Sequence, residues 1–303
     1  MAEAAGRAAG SWLRRFRRGD EPVTARVICF PHAGGWPGYY QPWAHLLPAD
    51  VDHVVVHYPG RESRADEACV TDMDTLVEAV VDAIKPLRDL PLVLFGHSMG
   101  GAVAHETALR LQAAGAPPAH LIVSGRRSPT VHRDSAFHLL DDDSLLAYLR
   151  TLDGIADEVL ELPELRDLIL EPLRSDYRLI ETYEPSPPSP LLCPLTVVRG
   201  AEDPHCSRAD AHAWQAAAGN GVTHLTFPAA ISISPRTTPG SSVTSWRWSP
   251  DCPGTGPVLP WRISDDRSER HGRGRDQQRM GRPHPPRPGQ RITAGNGSGR
   301  MAR

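Results

Sequence analysis

Five consecutive residues, Gly96-His97-Ser98-Met99-Gly100, set a serine between two glycines, with the apolar run "PLVLF" (91–95) before them and "GGAVAHETALRLQAAG" (100–115) overlapping and following. A serine hydroxyl is a poor nucleophile until a base takes its proton and donors hold the oxyanion that its attack creates. The GxSxG pattern alone occurs by chance in many chains. Between an apolar strand and an amphipathic helix it becomes a nucleophile elbow, with the serine on a strained turn and the first N–H groups of the helix favouring negative charge. The chemistry predicted is acyl transfer with Ser98 as nucleophile. The bland alternative is a small-residue helix start in a Rossmann-like sheet. His97 is read as structural, because a sharp turn should throw the side chains of adjacent residues apart.

Two further stretches fit the same chemistry. "CFPHAGG" (29–35) is a glycine-rich loop directly after a strand, where backbone N–H groups can approach a ligand. Such a loop supplies one oxyanion donor and the residue after the serine supplies the other, which assigns Ala33 and Met99. A plain glycine turn is the alternative. The acid should follow the serine in the chain and precede a histidine. "LTVVRGAEDPHCSRADAHAW" (195–214) offers Asp203 in a Gly200-x-x-Asp203-Pro204 turn, with Glu202 as fallback. Asp203 would fix a histidine's tautomer and stabilise its imidazolium, unless it merely caps the next turn. The histidines at hand serve poorly: His224 lies in a strand, His205 is too near Asp203 to be oriented by it, and His212 sits on the next helix.

These residues need a scaffold that brings strand ends together. Short β-branched runs at "ARVICF" (25–30), "DHVVVHY" (52–58), "PLVLF", "AHLIVSG" (119–125), "CPLTVVRG" (193–200) and "GVTHLTF" (221–227) predict buried parallel strands. Helical spacing at 73–87, 100–115 and 210–219 alternates with them, which predicts an α/β fold with helices on both faces of a mostly parallel sheet. Residues 128–184 break the rhythm with acidic, leucine-rich helical stretches, "DDDSLLAYLRTL" and "LPELRDLILEPLRSDYRLIETY", and predict an inserted helical lid. The expected organisation is an N-terminal arm (1–24), a catalytic domain (25–228) and a tail (229–303). Beyond Pro228 the periodicity gives way to Pro, Gly, Ser and Arg, a composition that buries too little apolar surface to order itself.

Composition narrows the function classes. Over 303 residues the formal net charge is −3, which gives no general attraction to nucleic acid or to a membrane surface. No apolar run reaches the roughly 18 residues of a membrane span, and the N-terminus lacks a signal-peptide core. Five scattered cysteines without a CxxC pair argue against a disulfide framework or a zinc site and for a reducing cytoplasm. Cys29 and Cys193 read as small core residues. Lys85 is the only lysine, the mark of a GC-rich gene. The arginine-rich "HGRGRDQQRMGRPHPPRPGQR" permits an RNA-binding reading by composition alone, and "NGS" (296–298) spells a glycosylation site without a secretion signal.

Taken together, "SWLRRF", "VICFPHAGG", "HYPGRESR" (57–64), "LFGHSMGG", "SGRRSP" (124–129), "HLLDDDSLLAYL" (138–149), "LRSDYRLIETY" (173–183) and "VVRGAEDP" resemble the type II thioesterases of polyketide and nonribosomal peptide synthases, in order and spacing from Ser11 to Pro228. The resemblance implies an α/β-hydrolase fold with a helical lid. It implies hydrolysis of acyl groups from the phosphopantetheine thiol of carrier proteins, with neither metal nor cofactor. By motif match it gives Ser98 as nucleophile, Asp203 as acid, and Ala33 and Met99 as oxyanion donors. The family histidine follows the last strand in a stretch like Gly-Gly-His-Phe-Tyr-Leu, and Ile231 occupies its place here.

Pro228 to Ser234 admits the codons CCG GCG GCC ATT TCT ATC TCT, and reading from the third base of the first codon gives Gly-Gly-His-Phe-Tyr-Leu. A single-base frameshift near codon 228 therefore accounts for the missing histidine and for the Arg-, Pro- and Gly-rich tail. Two rivals remain: a carrier-binding pseudoenzyme that lost its base, and another esterase or acyltransferase on the same fold. The displaced last element also predicts a destabilised chain.

Overall fold

The computed structural model describes residues 12–16, 20–131, 135–151, 163–185, 189–227, 245–248 and 261–264. Two compact units divide the chain, Met1–Asp265 and Asp266–Arg303, the second lying outside the described residues. The first holds strands β1 (Leu13–Arg15), β2 (Ala25–Phe30), β3 (Val51–Val56), β4 (Leu92–His97), β5 (His120–Ser124), β6 (Leu195–Gly200) and β7 (Val222–Phe227). Its α-helices are α1 (Met73–Ile84), α2 (Met99–Ala113), α3 (Asp142–Thr151), α4 (Pro163–Thr182) and α5 (Arg208–His212).

The seven strands form one sheet in the order β1-β3-β2-β4-β5-β6-β7, with every pair parallel except β1 against β3. The strand runs look continuously apolar because both faces are buried. Ile28 and Phe30 enter one cluster with Leu94, Leu121, Val197 and residues of α1 and α2. Val27 and Cys29, alternating with them, enter the other with Phe95, Val198 and Tyr40 of the 3-10 helix Pro37–His45. Cys193 is buried as well, so neither cysteine expected in the core is exposed.

Three differences from the sequence expectation have physical reasons. Part of the expected N-terminal arm is an edge strand: Leu13–Arg15 pairs with Val56–Val54, and Arg15 and Arg26 both reach the fully buried Asp52. Helix 73–87 ends its α-helical part at Ile84, and Pro86 lies in the short 3-10 turn Lys85–Leu87. In the tail, expected to be without structure, Ser245–Trp248 (β8) pairs antiparallel with Trp261–Ser264 (β9). Tryptophan and isoleucine favour extended backbone even without a longer apolar pattern around them.

The inserted region carries the helices α3 and α4 and the 3-10 turn Phe137–Leu139. α3 and α4 bury Leu145, Leu146, Leu149, Leu170 and Leu173 against one another. Ala33, half-buried, touches both this cluster and the sheet's core. The glycine-rich loop thus lies at the seam between sheet and lid.

Candidate active site

The elbow is closed by contact. A Cβ on Gly96 would lie 2.1 Å from Gly100 O, and one on Gly100 would lie 2.0 Å from Phe30 O. Only glycine lets β4, the start of α2 and the end of β2 come this close. Between them Ser98 has φ 51° and ψ −118°. With Glu62 it is one of two non-glycine residues at positive φ among the described residues, a strain of about 1–3 kcal/mol. Two bonds hold it there: Ser98 N–H donates to Ser124 O at 2.9 Å, and Gly101 N–H donates to Ser98 O at 3.0 Å. Its hydroxyl caps nothing, and the residue is half-buried.

Loops from three other strand ends gather at the elbow. Met99 is buried at the first position of α2, and Ala33 follows β2. Among the described residues neither their N–H groups nor the Ser98 hydroxyl finds a hydrogen-bond partner. Asp203 follows β6. A Cβ on Gly125, at the end of β5, would lie 3.5 Å from Asp203 Oδ2 and 2.8 Å from His97 Cε1, so Asp203, the elbow and β5 converge. Glu202 beside it is exposed to solvent, whereas Asp203 is half-buried. Asp203 Oδ1 also accepts from His205 N–H at 2.8 Å. This is the crevice outside the carboxyl ends of parallel strands, where open α/β sheets bind ligands.

His97 turns away from Ser98, its Nδ1 3.1 Å from Ser124 Oγ. Burial, followed by the charge His32 would carry, pushes its pKa down to about 3. His32, 6.0 Å from it between ring centroids, is lowered to about 4 by burial; Asp176 opposes and Arg61 adds to that shift. Both rings are therefore neutral at pH 7.

The Thioesterase domain family model matches residues 25–231. The chain belongs to the thioesterase family. It is 42% identical over 207 residues to the probable cadicidin biosynthesis thioesterase of Streptomyces griseus, covering 68% of this chain and 57% of that protein. To thioesterase PikA5 of Streptomyces venezuelae it is 39% identical over 208 residues, 68% of this chain and 74% of the relative. The solved type II thioesterase BorB, from the borrelidin biosynthetic cluster, superposes with a TM-score of 0.67 at 38% identity, over 72% of this chain and 89% of its own. The fold is that of the α/β hydrolases, as the resemblance implied. Type II thioesterases of polyketide and nonribosomal peptide pathways are thus its relatives in sequence and in structure.

Within this thioesterase fold, Ser98, Met99, Ala33 and Asp203 come together at one rim. None of the three histidines judged poor substitutes is hydrogen-bonded to Ser98. His224 lies in β7 and stacks on His212 at 4.5 Å, and the ring of His205 faces Tyr148 at 6.4 Å. Position 231, where the family pattern places its histidine and Ile231 stands, lies outside the described residues. Asp176, Arg61 and His32 were not singled out from sequence. "SDYR" reads as part of an amphipathic lid helix, and only the fold reveals that Asp176 faces the loop of Ala33. Among the described residues no group of His, Cys, Asp and Glu could hold a metal ion, and no helix is long and apolar enough to cross a membrane.

Proposed function

We propose that this chain hydrolyses acyl thioesters held on the phosphopantetheine arm of carrier proteins, as an editing thioesterase of polyketide or nonribosomal peptide synthesis acting in the cytoplasm. The observation that carries the reading is the strained, uncapped Ser98 at the start of α2, together with the N–H groups of Met99 and Ala33, which have no hydrogen-bond partner among the described residues. Ser98 Oγ attacks the thioester carbonyl, its proton passes to a base, and the carbonyl electrons move to an oxygen held by those two N–H groups. The intermediate collapses with loss of the pantetheine thiol. Water then attacks the acyl-serine, releasing the acid and regenerating Ser98. In this reading Asp203 orients the base and stabilises its cation.

The base is the weak link. With Ile231 in the histidine's place, proton transfer from Ser98 is the impaired step, and loss of one triad member costs several orders of magnitude. That supports a second reading, a carrier-binding protein with little turnover. The test is hydrolysis of an acyl-carrier thioester by the chain as it stands, by Ser98→Ala, and by a variant carrying Ala229→Gly, Ala230→Gly and Ile231→His. Turnover lost in Ser98→Ala and raised at least a hundredfold by the triple change supports the thioesterase. Tight carrier binding with no turnover in any of the three supports the pseudoenzyme. Preference for oxygen esters or for acyl transfer over hydrolysis would move the chain to another activity of the same fold.

A further inference from the structure

The loop that carries Ala33 is gripped from the lid. Asp176 on α4 and Arg61 after β3 are 3% and 5% exposed. Asp176 Oδ2 accepts from Gly34 N–H at 2.8 Å and from Arg61 Nη1 at 2.7 Å, and its Oδ1 accepts from Arg61 Nη2 at 2.8 Å. Arg61 Nη1 also donates to Gly35 O at 3.1 Å, and its Nε donates to Pro59 O at 3.3 Å. Three segments distant in sequence therefore share one buried charge pair: the glycine-rich loop, the turn after β3, and the lid helix. Leu173, one turn before Asp176, closes on the same spot. A Cβ at Gly34, whose φ is +73°, would lie 2.8 Å from Leu173 Cδ1.

A buried ion pair is a poor stabiliser compared with apolar packing of similar volume, because both charges lose their hydration. What bidentate geometry does supply is direction. Gly34 N–H and Gly35 O lie in the planar peptide units on either side of the one that carries Gly35 N–H. Gly35 N–H donates to His32 O at 2.8 Å, the oxygen that shares a peptide plane with the Ala33 N–H, so holding Gly34 and Gly35 holds that plane as well. Among the described residues the Ala33 N–H has no hydrogen-bond partner of its own. We propose that Asp176 and Arg61 are positioning residues that aim the Ala33 N–H at the oxyanion and make that aim depend on α4 being seated on the loop. The inference rests on the thioesterase reading for its chemical consequence, while the ordering of the loop stands apart from it.

Asp176→Asn in the full chain keeps shape but turns one acceptor into a donor facing donors. Three readouts separate the possibilities: the urea midpoint, amide exchange of residues 31–36, and hydrolysis of S-octanoyl-N-acetylcysteamine. The expected result is at least tenfold faster exchange in 31–36 with β4 and β5 unchanged, and kcat lowered roughly tenfold to a hundredfold with KM within about twofold. Arg61→Lys, which keeps the charge and loses the fork, should act in the same direction and carries the test if Asp176→Asn does not fold. Unchanged exchange in 31–36 overturns the proposal. So does faster exchange with kcat unaltered in a chain whose activity depends on Ser98, since the pair would then be merely structural. Activity that is absent or indifferent to Ser98, even with Ala229→Gly, Ala230→Gly and Ile231→His in place, sinks the thioesterase reading instead. The exchange measurement alone then decides whether the pair orders the loop.

Discussion

Gly100 leaves no room for a methyl group, because the carbonyl oxygens of Phe30 and Pro31 would lie 2.0 and 2.6 Å from it. Gly100→Ala must push the start of α2 off the end of β2, which moves Ser98 and Met99 away from Ala33 together. Overpacking of this kind costs about 1–3 kcal/mol. The expected outcome is a lower urea midpoint and a larger proportional loss of thioester hydrolysis than of stability; an unchanged midpoint would show that the elbow has slack. The two neighbouring carboxylates should separate just as clearly. Asp203 is half-buried beside His97 and Gly125, while Glu202 faces solvent. Asp203→Asn should therefore lower kcat by up to about 10⁴-fold in a chain with a working base. Glu202→Gln should leave it within about twofold. Equal losses in the two variants would remove Asp203 from the acid's role.

At the scale of elements, α4 organises the lid. Glu181 accepts from the N–H groups of Phe137 and His138 at 2.9 and 3.1 Å, and Arg174 donates to the carbonyls of His138 and Leu140. The helix thus satisfies backbone groups of the segment leading into α3, groups that no sheet or helix ladder serves. Glu181→Ala leaves two N–H groups without their acceptor, at a cost of about 1–3 kcal/mol. Amide exchange should accelerate at residues 136–140 before it does in β4 or β5; a uniform acceleration would mean that the lid and the sheet open as one unit. Which elements could be read from sequence follows from the range of the forces involved. The period of apolar residues is local, so β2 to β7 and the lid helices were legible to within a few residues. β1 was not, since Leu13-Arg14-Arg15 is too short and too charged to reveal a partner some forty residues away. The same holds within the site: GxSxG and the glycine loop carry their geometry in consecutive residues. The Arg61–Asp176 pair joins residues more than a hundred positions apart and exists only in the fold.

The whole molecule buries neutral histidines, and this sets how its stability should respond to pH. His53 and His120 are 1% and 7% exposed. Burial lowers each to about 4 from an ordinary value of 6.5, with Asp52 opposing the shift at His53. His32 and His97 are lowered by the same cause. In the unfolded chain each imidazole regains a pKa near 6.5, so between about 6.5 and 4 the unfolded state binds protons that the folded state refuses. Stability then rises with pH across that window and falls as the solution is acidified, by up to about 1.4 kcal/mol per pH unit for each such group. Glu67, held low by its bond to Arg64, and Asp72, held low by its bonds to Thr75, have the same sign but act only as pH falls through the carboxylate range. The two contributions can therefore be told apart by where the decline begins. Urea midpoints at constant ionic strength should already drop between pH 7 and 5.5, where carboxylates hardly titrate, and drop further below 4.5. His120→Gln should flatten the upper part of the curve and leave the lower part in place. A midpoint constant from pH 7 to 5 would mean that these imidazoles reach solvent or find partners when charged, and that the core around β3, β5 and the elbow is looser than its packing suggests.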